Sequence, residues 1–116
     1  PGETAAAAAL RELREETRYG PDHHLVGFWQ LEQLNTYFLH RHEAVMISPC
    51  FAAQVDFGHD PTPDPEHDGL RWVAVRDADR AFIWPGQRLA LTQIRRDILD
   101  PESTIEPILR IDPTGL

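Results

Sequence analysis

From position 5 to position 16 the chain reads AAAAALRELREE, with small and aliphatic residues on one side of a helical wheel and Arg and Glu on the other. That period predicts an amphipathic helix. The Pro1-Gly2-Glu3-Thr4 lead-in supplies a turn and an N-cap at Thr4. Leu25 to Leu31 and Thr36 to His40 read as two strands, the first with Phe28 and Trp29 on opposite faces. Ala44 to Phe57 is the strongest strand. Its Val45, Met46, Ile47, Cys50, Phe51, Ala52 and Val55 are apolar enough to be covered on both sides, and Pro49 marks a bulge or an edge.

Residues 58–69, GHDPTPDPEHDG, form a loop by every local rule, being rich in proline, glycine and acids. Leu70 to Val75 returns as a strand around Trp72. Gly86 to Leu99 carries Leu89, Leu91, Ile94, Ile98 and Leu99 at near-helical spacing and predicts a closing amphipathic helix. The tail from Asp100 is punctuated by proline and is expected to be a loose strand or disordered. No internal repeat or domain boundary is visible.

The polar face of the first helix carries the chemistry. Glu12, Glu15 and Glu16 stand at i, i+3 and i+4, so their carboxylates share one face within about a turn. Like charges so placed repel unless something positive sits among them. Hard oxygen ligands suit magnesium, which bridges carboxylates to substrate phosphates. Arg11 is the internal counter-charge, able to fix a carboxylate through a two-pronged contact. The plainer reading of such a helix is a solvated face with local ion pairs.

The order of residues goes beyond that reading. Glu3, seven residues, then Arg11-Glu12-Leu13-Arg14-Glu15-Glu16 resembles the Nudix hydrolase signature. Two departures stand out. Arg18 occupies the signature's glycine position, with Gly20 following, so the helix is expected to exit slightly late; and the signature's opening glycine would fall upstream of Pro1. The resemblance therefore implies that residues 1–99 are the C-terminal portion of a single Nudix domain, with 1–19 the signature loop and helix and 100–116 a proline-containing tail. The implied fold is α+β, a mixed β-sheet sandwiched between helices with its N-terminal strands missing. An uncovered sheet edge is expected where those strands would pair, with a partner filling the place, a longer parent protein, or a marginally stable fragment as the outcome.

By match to the signature, Glu15 and Glu16 are expected magnesium ligands, with manganese as the alternative ion. Glu12 is a further ligand or the water-activating base, Arg11 orients Glu12, and Glu3 stabilises the loop through an ion pair. Glu66, on a loop before a late strand, matches the place from which many Nudix enzymes supply a base. Phe38 to Val55, Glu66-His67 leading to Arg71-Trp72-Val73, and Trp84 to Arg88 resemble the dATP and dihydroneopterin triphosphate pyrophosphohydrolase branch. The implied reaction is attack of water on a diphosphate linkage, giving a monophosphate and pyrophosphate from a nucleoside or pteridine triphosphate.

Substrate contacts are thinner in the sequence. Phe28, Trp29, Tyr37 and Trp84 are candidate base-stacking groups, of which one is expected to touch a nucleobase. Asn35 stands where ADP-ribose-specific relatives carry a proline, which counts against that substrate. Tyr37 stands where dinucleoside polyphosphate hydrolases carry a tyrosine. His40, Arg41 and His42 form a cationic strand end suited to phosphates, with His42 the named contact. A non-catalytic nucleotide-binding domain is the remaining alternative.

Composition narrows the partners. The net charge is −8, and all 11 positive residues are arginines. An acidic surface disfavours nucleic acid and membrane, leaving a small-molecule nucleotide and, as is common in the family, a second copy of the chain. The one cysteine, Cys50, reads as core and fits a reducing cytoplasm. The histidines lack the spacing of a structural zinc site.

Overall fold

The computed structural model describes residues 2–56, 58–66 and 69–116. Its helices are α1 (Ala5–Thr17), α2 (Ala78–Ala81), α3 (Pro85–Gln93) and α4 (Glu106–Leu109), and its strands are β1 (Leu25–Leu39) and β2 (Ala44–Val55). The architecture is α+β, and among the described residues the sheet is the two-stranded β1–β2 pair. The chain divides into two compact units. One comprises Pro1–Trp29, Phe51–Trp72 and Arg110–Leu116; the other comprises Gln30–Cys50 and Val73–Leu109.

In the first unit, α1 starts where Thr4 Oγ1 accepts the Ala7 N–H at 3.1 Å. It ends at Arg18, whose φ of 71° is left-handed and whose N–H reaches the Arg14 carbonyl at 2.9 Å. The helix thus exits at the signature position and not late as expected: an arginine adopts the conformation that glycine adopts more cheaply. Leu10 is the buried face of α1. Tyr19, Phe28 and Trp29 complete the core, with the Phe28 ring stacked on Phe51 at 5.6 Å. Gly27 makes room for that packing, since a Cβ there would collide with the Trp29 indole.

The C-terminal segment closes this core and is more regular than the expected loose tail. Ile111 N–H donates to the Phe28 carbonyl at 2.8 Å, Arg110 bridges to Trp29, and its guanidinium lies 4.7 Å over the indole ring. Ser, Asp and Pro punctuation there had masked a segment that is held by long-range pairing.

The second unit contains the remainder of both strands, joined by a 3₁₀ turn at His40–His42, together with α2, α3 and α4. β1 runs unbroken where two strands were expected, because Gln33 N–H is taken by the buried Gln93 side chain at 2.8 Å and the polar middle keeps alternating in and out. The expected helix over Gly86 to Leu99 begins at Pro85 and widens into a π-helical stretch over Ile94–Leu99. Leu31, Ala78, Gln93, Asp97 and Leu109 are buried here.

Three further expectations differ. No residue of β2 is fully buried, and Val45 and Ile47 are 65% and 64% exposed, so the strand is not covered on both sides as expected. Leu70 to Ala74 is irregular rather than a strand: the Trp72 indole N–H is spent on Asp60 Oδ1 at 2.8 Å and the ring is exposed. Cys50 is half-buried, not core. The expected end of the β2 segment at Phe57, and His67 of the Glu66-His67 pair, lie outside the described residues.

Candidate active site

The site is built on α1. One turn of alternating Leu and Glu/Arg fixes which side chains face solvent, and Glu12, Glu15 and Glu16 are all exposed on the polar face. Arg11 binds Glu3 through two contacts, Nε to Oε2 at 3.0 Å and Nη2 to Oε1 at 3.2 Å. Its remaining nitrogen, Nη1, reaches both oxygens of Glu15 at 3.3 Å. Arg11 therefore ties the loop before α1 to Glu15, and the expected Arg11–Glu12 contact is not the one made. Glu12 and Glu16 have no ion-pair partner among the described residues.

Charge follows this arrangement. The Arg11 guanidinium holds the Glu3 carboxyl below its ordinary range, and the two carboxylates raise the already high Arg11 value. The pairs are solvent-exposed, so they contribute orientation more than stability.

Next to α1 lies the acidic loop. Thr62 N–H donates to the Thr17 carbonyl at 3.0 Å, and a small cleft of about 120 Å³ is bounded by Glu16, Thr17, Pro61, Pro63, Gly69 and Leu70. The loop that carries Glu66 is thereby fastened at the Glu16 end of the helix. Glu66 itself donates its N–H to Asp64 Oδ1 at 3.0 Å, an Asx turn. A second groove of about 460 Å³ lies along Arg11, Arg14 and Glu15 and is closed by Pro21, Pro113 and Leu116.

A family model described as the NUDIX domain matches residues 1–94. The chain belongs to the Nudix domain family. No curated protein and no solved structure matches it. Nudix domains generally act on pyrophosphate bonds with the help of divalent metal ions, and the exposed all-oxygen donor set of Glu12, Glu15 and Glu16 fits such an ion. No helix among the described residues is long and apolar enough to cross a membrane.

The second unit of this Nudix domain carries the aromatic candidates. Tyr37 and Trp84 line one groove of about 580 Å³ with Asn35, Phe38 and Gly86. Gly86 approaches the Asn35 side chain so closely that a Cβ would clash, which sets the start of α3 against β1. Phe28 and Trp29 are committed to the core, leaving Tyr37 and Trp84, 44% and 63% exposed, as the pair open to a planar ligand. His42 is exposed on the hairpin turn and does not line this groove, while His40 faces Glu43 at 3.3 Å.

Sequence reasoning missed one grouping. His24 Nδ1 lies 3.6 Å from Asp56 Oδ2, and the His24 and His59 rings stack at 3.7 Å. These residues are remote in sequence and meet only because β2 ends beside the start of β1.

Proposed function

We propose that this Nudix domain is a magnesium-dependent pyrophosphohydrolase that converts a nucleoside or pteridine triphosphate to the monophosphate and pyrophosphate. The observation that carries this reading is the exposed Glu12, Glu15 and Glu16 face, in which Arg11 is already spent on Glu3 and Glu15 and two carboxylates are left without a counter-ion among the described residues. Such a face is unfavourable for the helix alone and becomes favourable when a divalent cation joins it.

Glu12, Glu15 and Glu16 would hold the ion, which when bound offsets charge on the transferring and leaving phosphoryl oxygens. Manganese fits the same donors. Arg11 keeps Glu15 in one orientation and anchors the Glu3 loop. Glu12, or Glu66 from the loop fastened at the end of α1, accepts the proton of the attacking water. One P–O bond to that water forms as the bridging P–O bond breaks, and the leaving diphosphate departs with the bond's electron pair.

Tyr37 and Trp84 offer aromatic faces for the base or pteridine ring. His42 is the proposed phosphate contact from the hairpin turn. The open placement of Tyr37 also favours a second reading, a dinucleoside polyphosphate hydrolase. Phosphorus NMR of the products separates the two: monophosphate and pyrophosphate from a triphosphate support the first, a nucleoside triphosphate released from a dinucleoside polyphosphate supports the second, and magnesium-dependent binding of both without products points to a non-catalytic domain.

A further inference from the structure

We propose that His24, Asp56 and His59 bind one divalent transition-metal ion of the zinc class, at a site separate from the carboxylates of α1. One donor atom from each of the three residues lies within 4.8 Å of the other two. Bound zinc with two imidazoles and a carboxylate at about 2.0–2.2 Å needs donor spacings of roughly 3.4 Å. His24 and Asp56 are already near that spacing at 3.6 Å. The His59 ring is stacked on His24 at 3.7 Å, and binding requires it to tilt out of that stack so that both imidazoles point at the ion; the exposed His59 and Asp56 side chains can reorient.

The backbone around the three residues is fixed in several independent ways. Asp56 N–H donates to the His24 carbonyl at 2.9 Å, which locks the end of β2 to the start of β1. His24 itself holds a left-handed φ of 66°, set by the turn in which Gly20 and His23 exchange backbone hydrogen bonds at 2.8 and 3.1 Å. The His59 carbonyl accepts the phenol of buried Tyr19, and the next residue, Asp60, accepts the Trp72 indole N–H. The loop residue of the triad is thus pinned at its own carbonyl and at the residue that follows.

Donor chemistry selects the ion. Two imidazole nitrogens and one carboxylate oxygen favour zinc, cobalt or nickel over magnesium, which prefers an all-oxygen shell. The plain alternative is a His24–Asp56 ion pair with His59 stacked beside it. That alternative accounts for the His24–Asp56 and His24–His59 contacts, whereas an ion would also draw the His59 nitrogen and the Asp56 oxygen together, and the binding measurement separates the two. Because the donors come from the start of β1, the end of β2 and the loop that runs on toward Glu66, one ion would clasp three segments of this unit. Three protein ligands would leave a coordination position to water.

The test is zinc titration calorimetry on the full, untagged chain in excess magnesium, which occupies all-oxygen sites. One zinc ion per chain is expected, with affinity reduced at least about tenfold in His59→Ala and in the near-isosteric Asp56→Asn. Glu16→Gln is expected to leave zinc affinity unchanged. Cobalt substitution gives an independent readout, a visible absorption band present in the parent chain and absent in both triad variants. Zinc binding that magnesium abolishes, or that survives both triad variants, overturns the proposal.

Discussion

Arg11 holds Glu3 in a two-pronged grip, Nε to Oε2 at 3.0 Å and Nη2 to Oε1 at 3.2 Å, and spends its last nitrogen on Glu15. Planarity makes this triple duty feasible: one rigid fork spans the loop and the helix, which a lysine's single ammonium cannot do. Arg11→Lys is expected to reduce kcat/KM by about 10- to 100-fold, the usual cost of losing a residue that orients a metal ligand. Steady-state kinetics with saturating magnesium checks this.

The same contact has a pH signature. The Glu3 carboxyl titrates below its ordinary value of 4.5 because Arg11 hydrogen-bonds to its charged form. A depressed folded value means that the contact's contribution is complete above the ordinary carboxylate range and is lost as pH falls through the lower folded value. Carbon-detected NMR titration is expected to place Glu3 below 4.5 in the parent chain and back at the ordinary value in Arg11→Ala.

Arg18 pays the conformational cost of a left-handed helix terminus at φ 71°. Its side chain is exposed, so nothing packed is lost on truncation. Arg18→Gly is expected to stabilise the domain by about 1 kcal/mol, read as a higher urea midpoint with an unchanged slope.

Tyr19 is buried, and its phenol donates to the His59 carbonyl. Tyr19→Phe leaves that carbonyl unpaired and is expected to cost about 1 kcal/mol. Burial, reinforced by Asp60, raises the phenol above its ordinary 10.0. For an acid kept neutral by the fold, the stabilisation is complete below the ordinary value and fades as pH rises through the folded one. Alkaline unfolding curves of Tyr19→Phe should therefore lack the part of the decline that the phenol causes.

Gly27 tests the core directly. A Cβ there meets the Trp29 ring, which is itself held beneath Arg110. Gly27→Ala is expected to destabilise by about 1–3 kcal/mol through overpacking, with weakened near-ultraviolet dichroism from the displaced indole.

What the sequence made legible was what depends on near neighbours. The α1 helix, its Thr4 cap and the shared face of Glu12, Glu15 and Glu16 follow from spacings within a few turns, and the hairpin strand beginning at Ala44 follows from an apolar run. What depends on distant partners was not legible. Leu70 to Ala74 has strand-like composition, yet Trp72 is captured by Asp60 and no pairing edge takes the segment. The polar middle of β1 reads as a break, but Gln93 supplies the missing acceptor from far along the chain. The tail reads as loose until Phe28 and Trp29 are seen to bind it. The signature resemblance supplied candidate residues for the reaction, and not that Arg11 would select Glu15 over Glu12 as its helical partner. The histidines lack the spacing of a zinc site in the sequence, and His24, Asp56 and His59 were not legible as a group because no local spacing relates them.

The most direct measurement of the central claim is pyrophosphate release from nucleoside and pteridine triphosphates as magnesium is titrated, for the parent chain and for Glu16→Gln. Glu16 is exposed and, among the described residues, without an ion-pair partner, so the substitution removes a proposed metal donor without removing a packed or paired group. Magnesium-dependent release by the parent chain is expected, with a loss of kcat of at least about 100-fold in the variant. Equal turnover by the two proteins, or release that does not depend on a divalent ion, would contradict that claim.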